Sequence, residues 1–158
     1  MRRPFKANYA GAIYGTILSM AVIAGLSTDK SIRPLPMAIW ASVTAIVFWL
    51  AHVYSRYVTS GDVYTRESLG RLRDAMRQDW PLVQGSLAPA LALLLAPLGL
   101  VSDNAASYVA IGVGVAILFA AGLLVGRNRS LGFGRTLLTG SINGLIGLTI
   151  VALKVFVH

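Results

Sequence analysis

The sequence predicts an all-α fold: a polytopic membrane protein with five transmembrane helices and one cytoplasmic amphipathic helix, all in a single membrane domain of residues 1–158. Three observations predict it. More than half of the residues are hydrophobic (56%) and only 13% are charged, about half the ~25% of a soluble domain. The charges cluster between long runs that have none, as in chains that cross a bilayer repeatedly. The basic residues, which give a net charge of +8, also fall almost wholly on one side once five spans are drawn.

The elements follow in order. A basic start, MRRPFKAN, leads into an apolar run that is too long for a signal-peptide core and is not closed by an A-x-A site. It is read as the first span, about residues 9–27. A short polar loop with two prolines separates it from the second span, about residues 37–60. Trp40 near one end of that span and Tyr54 and Tyr57 near the other suit the aromatic belts of membrane interfaces.

The stretch GDVYTRESLGRLRDAMRQDW is different. Leu69, Leu72, Met76 and Trp80 recur at spacings of three and four and make one apolar stripe. Arg71, Arg73, Asp74 and Arg77 lie off it, and Glu67 with Arg71 forms a favourable i,i+4 pair. An amphipathic helix over about 62–80 is predicted, ended by Pro81. It either lies on the membrane surface, where Arg66, Arg71, Arg73 and Arg77 meet anionic headgroups, or packs as a cap over the bundle.

The third span is placed at about 82–101, with Pro89 and Pro97 expected to kink it. A tight turn at 102–105 precedes the fourth span, about 106–126. A basic loop through Arg127 and Arg129 leads to the fifth, about 136–157. Of the 14 lysines and arginines, only Lys30, Arg33 and Lys154 then fall on the far side. The positive-inside rule places the N-terminus in the cytoplasm and the C-terminus outside, in a cell inner membrane. The net charge is thus assigned to anionic headgroups as partner and not to nucleic acid.

Lipid offers no hydrophobic drive for helices to associate, so close backbone contact matters more. Gly140-x-x-x-Gly144 with Gly147 in the fifth span, and Gly112, Gly114 and Gly122 in the fourth, can bring these two helices together or form a dimer contact. Five short spans make a thin bundle, and an enclosed path forms more easily between subunits, so a homo-oligomer is expected.

Few residues can carry chemistry. His52 lies well inside an apolar run, about 7 Å from the middle of its span. An ionisable group there is costly and is a functional hypothesis by default, with proton transfer or metal ligation open to it. The plainer reading is a neutral imidazole bonded between helices. Trp49, His52 and Arg56 share a face by spacing, and Ser55 lies within reach of His52. Asn143 has a matching depth in the fifth span, and its amide needs partners. His52 and Asn143 are therefore expected to face each other across a polar interior completed by Ser141, Thr44 or Tyr14. Lys154 is expected to snorkel from its helix end. Met20 suits a soft metal ion or, more plainly, packing.

The absences exclude several classes. There is no cysteine, hence no disulfide, thiolate metal site or thiol catalysis. No Asp or Glu falls within a predicted span, whereas cation pumps and proton-coupled carriers usually use one. No HExxH, Walker or GxSxG motif occurs, and the only other histidine is the last residue, His158. No cofactor and no enzyme activity is expected. A small channel or transporter of unknown substrate, and a non-catalytic partner that stabilises or regulates another membrane protein, both remain open.

YGTILSMAVIAGLS in the first span and FWLAHVYSRY in the second resemble stretches of small bacterial integral membrane proteins. The five-span layout with a cytoplasmic helix between spans two and three, together with AVIAGLS, resembles the vacuolar iron transporter family. That resemblance implies the fold and orientation given above. It implies no metal site, because the family's first-helix Asp and Glu-rich insert are missing here. The first span has no acid, and Glu67 is the sole glutamate of the insert.

Overall fold

The computed structural model describes residues 9–59 and 66–157, apart from the side chains at 66–68, 154 and 157. The expected roles of Arg66, Glu67, Lys154 and the basic N-terminus lie outside the described residues. Those described form five helices and no strand: α1 Tyr9–Leu26, α2 Pro34–Thr59, α3 Arg66–Ala92, α4 Asp103–Asn128 and α5 Phe133–Val157. Four of them, all but α3, are long and apolar enough to cross a membrane. Consecutive helices run in opposite directions. At one end of the bundle the amide of Asn128 donates to the hydroxyl of Tyr9 (3.0 Å). At the other, the α1–α2 loop, the start of α4 and the last turns of α5 surround one cleft.

Helix α1 is central and touches the other four. Its tightest neighbour is α3, because glycine strips both backbones at the crossing. A Cβ on Gly15 would collide with the carbonyl of Leu82, and one on Gly85 with the carbonyl of Ala12. Small residues that let backbones touch replace the hydrophobic drive that lipid cannot supply. On the other flank, Met20 fills the slot that Gly114 leaves open in α4. Met20, Ile23, Leu93, Ile111 and Leu118 are fully buried or nearly so and form the core.

The glycines of α4 and α5 serve the same purpose. Gly122 lies against Gly140 and Thr139, Gly126 against Thr136, and Gly147 against Leu118 and Val115. The GxxxG face of the fifth helix is therefore spent on α4 of the same chain. Gly112, by contrast, faces open space.

Helix α3 departs from expectation. The amphipathic segment and the third span are one helix of 27 residues that runs through Pro81 and Pro89. Pro81 does not end it. Its buried face is Ala75, Asp79, Leu82, Val83, Ser86 and Ala90, a single three-and-four register that crosses both prolines. Of the expected stripe, Leu69, Met76 and Trp80 are exposed, Leu69 at 69%, and Leu72 is half-buried. Contact with α1 and α2 selects the face of small residues, and the bulkier stripe is left over. After one turn of 3-10 helix at Leu93–Leu95, the rod closes before the expected end at 101. Leu100 N–H donates to Leu95 O (3.0 Å) and Gly99 N–H to Ala96 O (2.8 Å), with Gly99 at φ +74°. This is the Schellman closure, which requires a left-handed residue. The expected turn at 102–105 is the start of α4, with the Ser102 hydroxyl accepting from Ala105 N–H (3.3 Å) as an N-cap.

Candidate functional site

The expected polar interior of His52 and Asn143 is not assembled within the chain. Helices α2 and α5 do not meet. Nδ1 of His52 lies 3.0 Å from the carbonyl oxygen of Phe48. A carbonyl only accepts, so the contact is a hydrogen bond donated by a protonated Nδ1. The imidazole is exposed on the outside of the bundle, with the ring of Tyr14 5.6 Å away and Tyr14 in turn 6.3 Å from Phe48. Of the proposed network, then, His52 and Tyr14 do come together. Ser55 is exposed one turn further along and Thr44 is half-buried. The Asn143 amide donates to Thr139 O in its own helix (2.9 Å) and packs beside Gly122 of α4.

Trp49 and Arg56, placed on one face with His52 by spacing, turn toward α3 instead. The indole of Trp49 donates to the carbonyl of Met76 (3.2 Å), and its ring meets Trp80 edge-on at 5.3 Å. Arg56 Nε lies 2.8 Å from Oδ2 of Asp79. The contact is an ion pair without the alignment of a hydrogen bond, since that oxygen takes no such bond. Asp79 is 4% exposed. The sequence reading set Asp79 outside every span, yet it is a buried carboxylate on the helix that threads the bundle. The signal was available: Ala75, Asp79, Leu82, Ser86 and Ala90 keep the helical period straight through Pro81.

A second polar patch lies deeper, where α1 crosses α3. Thr16, Ser19 and Ser86 are all fully buried. Thr16 Oγ1 donates to Gly85 O (3.0 Å) and is also 2.9 Å from Ala12 O. Ser86 Oγ donates to Val83 O (2.7 Å). Ser19 Oγ has no partner, an uncommon state for a buried hydroxyl and one that costs about 1–3 kcal/mol. Met20 is core packing against Gly114. Among the described residues no three His, Asp or Glu side chains gather to hold a metal ion.

The third feature is the cleft at the end of the bundle remote from Asp79, about 680 Å³ in volume. Asp29, Lys30, Arg33 and Asp103 line its rim, and Ile32 and Met37 are among its apolar residues. The Asp29 carboxylate accepts from Ser31 Oγ (2.7 Å) and Ser31 N–H (2.8 Å). The Ser31 hydroxyl, followed by its N–H, holds Asp29 below the ordinary carboxyl value. Ser107 lies in this cleft, seven residues from Gly114, or about 10 Å along α4. Ile111 lies between them along α4 and belongs, with Ile23 and Leu93, to one buried apolar cluster. Sequence reading took the α1–α2 loop for a plain connection, because the cleft is made by residues over seventy positions apart. The chain matches no protein-family model, and no curated protein or solved structure is significantly similar to it.

Proposed function

We propose that this chain is a small, non-enzymatic integral membrane transport protein with its path closed. One observation carries the reading: polar groups occupy the interior of an apolar bundle in a broken line. The line runs from the charged cleft, past the Ile23–Leu93–Ile111 layer, to Thr16, Ser19 and Ser86 and on toward Asp79. Buried polar groups in lipid are costly and mark solute or ion paths, and apolar constrictions gate such paths by excluding water. The buried Asp79 on α3 gives this reading a carboxylate inside the bundle.

In this reading the chain crosses a cell inner membrane five times, N-terminus in the cytoplasm. Helix α3 is about 40 Å long by its 27 residues, and its part from Asp79 on, with the Leu93–Leu95 turn, extends about 27 Å, close to the ~30 Å hydrocarbon core. Its polar half emerges on the cytoplasmic side, where Arg71, Arg73 and Arg77 face anionic headgroups. The outward His52 and Tyr14 require cover, since an ionisable side chain turned to lipid is unfavourable. A second copy of the chain supplies it.

The test is solute flux through purified protein in liposomes across protons, monovalent ions, divalent metals and small zwitterions, with Asp79→Asn and His52→Ala alongside. Flux lost in Asp79→Asn supports the path. A silent panel from folded, inserted protein overturns it. The exposed His52–Tyr14 pair favours a second reading in that case, a non-catalytic partner whose α2 face docks another membrane protein. Crosslinking from Ser55 would then recover a different protein and not a second copy.

A further inference from the structure

We propose that the cleft between the α1–α2 loop and the start of α4 binds a small zwitterion, a molecule carrying both an oxyanion and an ammonium group. This deepens the transport reading by naming its solute class. The test below reads binding alone, so a failure of binding and a failure of flux are separate results.

The charge pattern leads there. Lys30 and Arg33 supply two positive charges and Asp29 and Asp103 two negative ones, all on one cleft. Exposed opposite charges gain little by pairing with one another, which leaves them open to a ligand. Here Arg56 and Asp79 form the only ion pair among the described residues. Asp29 is committed instead to the Ser31 hydroxyl and N–H, which keep it ionised and fix the loop that carries Lys30 and Arg33. Asp103 sits in the first turn of α4, where the helix dipole favours its charge, and it lines the cleft from a different element than the two cations.

A ligand that carries both signs satisfies both elements. An oxyanion suits Arg33, whose planar fork matches phosphate or carboxylate bidentately, with Lys30 as a second charge. An ammonium suits Asp103. A purely anionic or cationic ligand leaves one sign unanswered and meets like charge on the other. The volume of about 680 Å³ lies within the ~300–1,000 Å³ usual for ligand sites, and the apolar Ile32, Met37 and Val155 in its lining accept a short hydrocarbon part. Two sources share this chemistry: a free solute such as an amino acid, and the headgroup of an ethanolamine phospholipid.

The experiment uses the full chain in neutral detergent at low salt, because exposed charges are screened within ~10 Å at 0.1 M. Affinity is measured by calorimetry for O-phosphoethanolamine, inorganic phosphate and ethanolamine. We expect O-phosphoethanolamine to bind at least about tenfold tighter than either fragment. Arg33→Gln and Asp103→Asn should each weaken it about tenfold, as expected for loss of one charge-assisted contact. Arg33→Lys, which keeps the charge, should recover part of the affinity, and unchanged circular dichroism verifies the fold. The proposal is overturned if the zwitterion binds no better than its fragments, or if its binding survives both charge substitutions. Repeating the titration in nanodiscs identifies the source. Competition from phosphatidylethanolamine, with that lipid retained in native mass spectra, assigns the site to a headgroup. Affinity indifferent to the lipid assigns it to a free solute.

Discussion

The hydroxyl of Thr16 on α1 donates to the carbonyl of Gly85 on α3 at 3.0 Å, the carbonyl that Pro89 leaves without a backbone donor. Proline four residues on has no N–H, and a freed carbonyl inside a membrane bundle must be satisfied by a neighbour. Thr16→Val keeps the shape, removes the donor and should cost about 1–3 kcal/mol. In a Pro89→Ala background the restored N–H takes over, and the same substitution should cost distinctly less. A double-mutant cycle by thermal unfolding in detergent reads the coupling. Simple additivity would show that the hydroxyl serves something other than the proline.

That relationship marks where the sequence was legible and where it was not. Apolar run length located α1, α2, α4 and α5 to within a few residues, since bilayer thickness dictates it. It failed on α3, whose charged first half masks its continuity. The prolines there were treated as breaks, but each freed carbonyl is a local cost that tertiary contact can meet. His52 and Asn143 were legible as unusual residues, and their depths were matched. Depth along a helix says nothing about which helices adjoin, and α2 and α5 do not. Asp79 was passed over because composition assigned it to a surface helix. The cleft was invisible for a simpler reason: no local pattern joins Arg33 to Asp103.

The Arg56–Asp79 pair should be asymmetric. Asp79 is buried, whereas Arg56 keeps its side chain 46% exposed and can turn its guanidinium to headgroups or water. Arg56→Gln strands a carboxylate at the α2–α3 contact. Asp79→Asn strands only a cation that has somewhere to go. Breaking a fully buried pair costs about 3–5 kcal/mol. Half-exposure of one partner brings the Arg56→Gln cost nearer about 1–2 kcal/mol, with Asp79→Asn below that. Unfolding in detergent ranks the two, and a larger loss from Asp79→Asn would contradict this assignment of burial.

Helix α4 closes as α3 does, but with the wrong residue. Leu131 N–H donates to Gly126 O (3.1 Å) and Ser130 N–H to Arg127 O (2.9 Å). The left-handed position is held by Ser130 at φ 52°, where the α3 closure has Gly99. A side chain in that region costs roughly 1–2 kcal/mol, and glycine is free of the penalty. Ser130→Gly should therefore stabilise the protein by about 0.5–1 kcal/mol, and Gly99→Ala should destabilise it by about 1 kcal/mol. Nothing lies near Gly99 to confuse that result, since a Cβ there meets open space. Equal melting temperatures for Ser130→Gly and the parent would show that the turn opens in solution.

Asp29 gives the loop beside the cleft a pH dependence of definite sign. Its carboxyl is held below the ordinary value of 3.8 by the Ser31 hydroxyl and then by the Ser31 N–H. A group whose folded pKa is depressed stabilises its structure fully above the unfolded value, and that contribution is lost as pH falls through the folded one. The turn at residues 29–31 should stay intact from neutral pH down to 3.8 and loosen only below it. Carboxyl carbon NMR of Asp29 should show a midpoint under 3.8, and Ser31→Ala should raise it by removing the larger of the two causes. The retained N–H bond should keep the midpoint of that variant from rising fully to the ordinary value. A midpoint at or above 3.8 in the parent would mean that the Asp29–Ser31 bonds do not persist in solution, and would remove the anchor that positions Lys30 and Arg33 at the cleft.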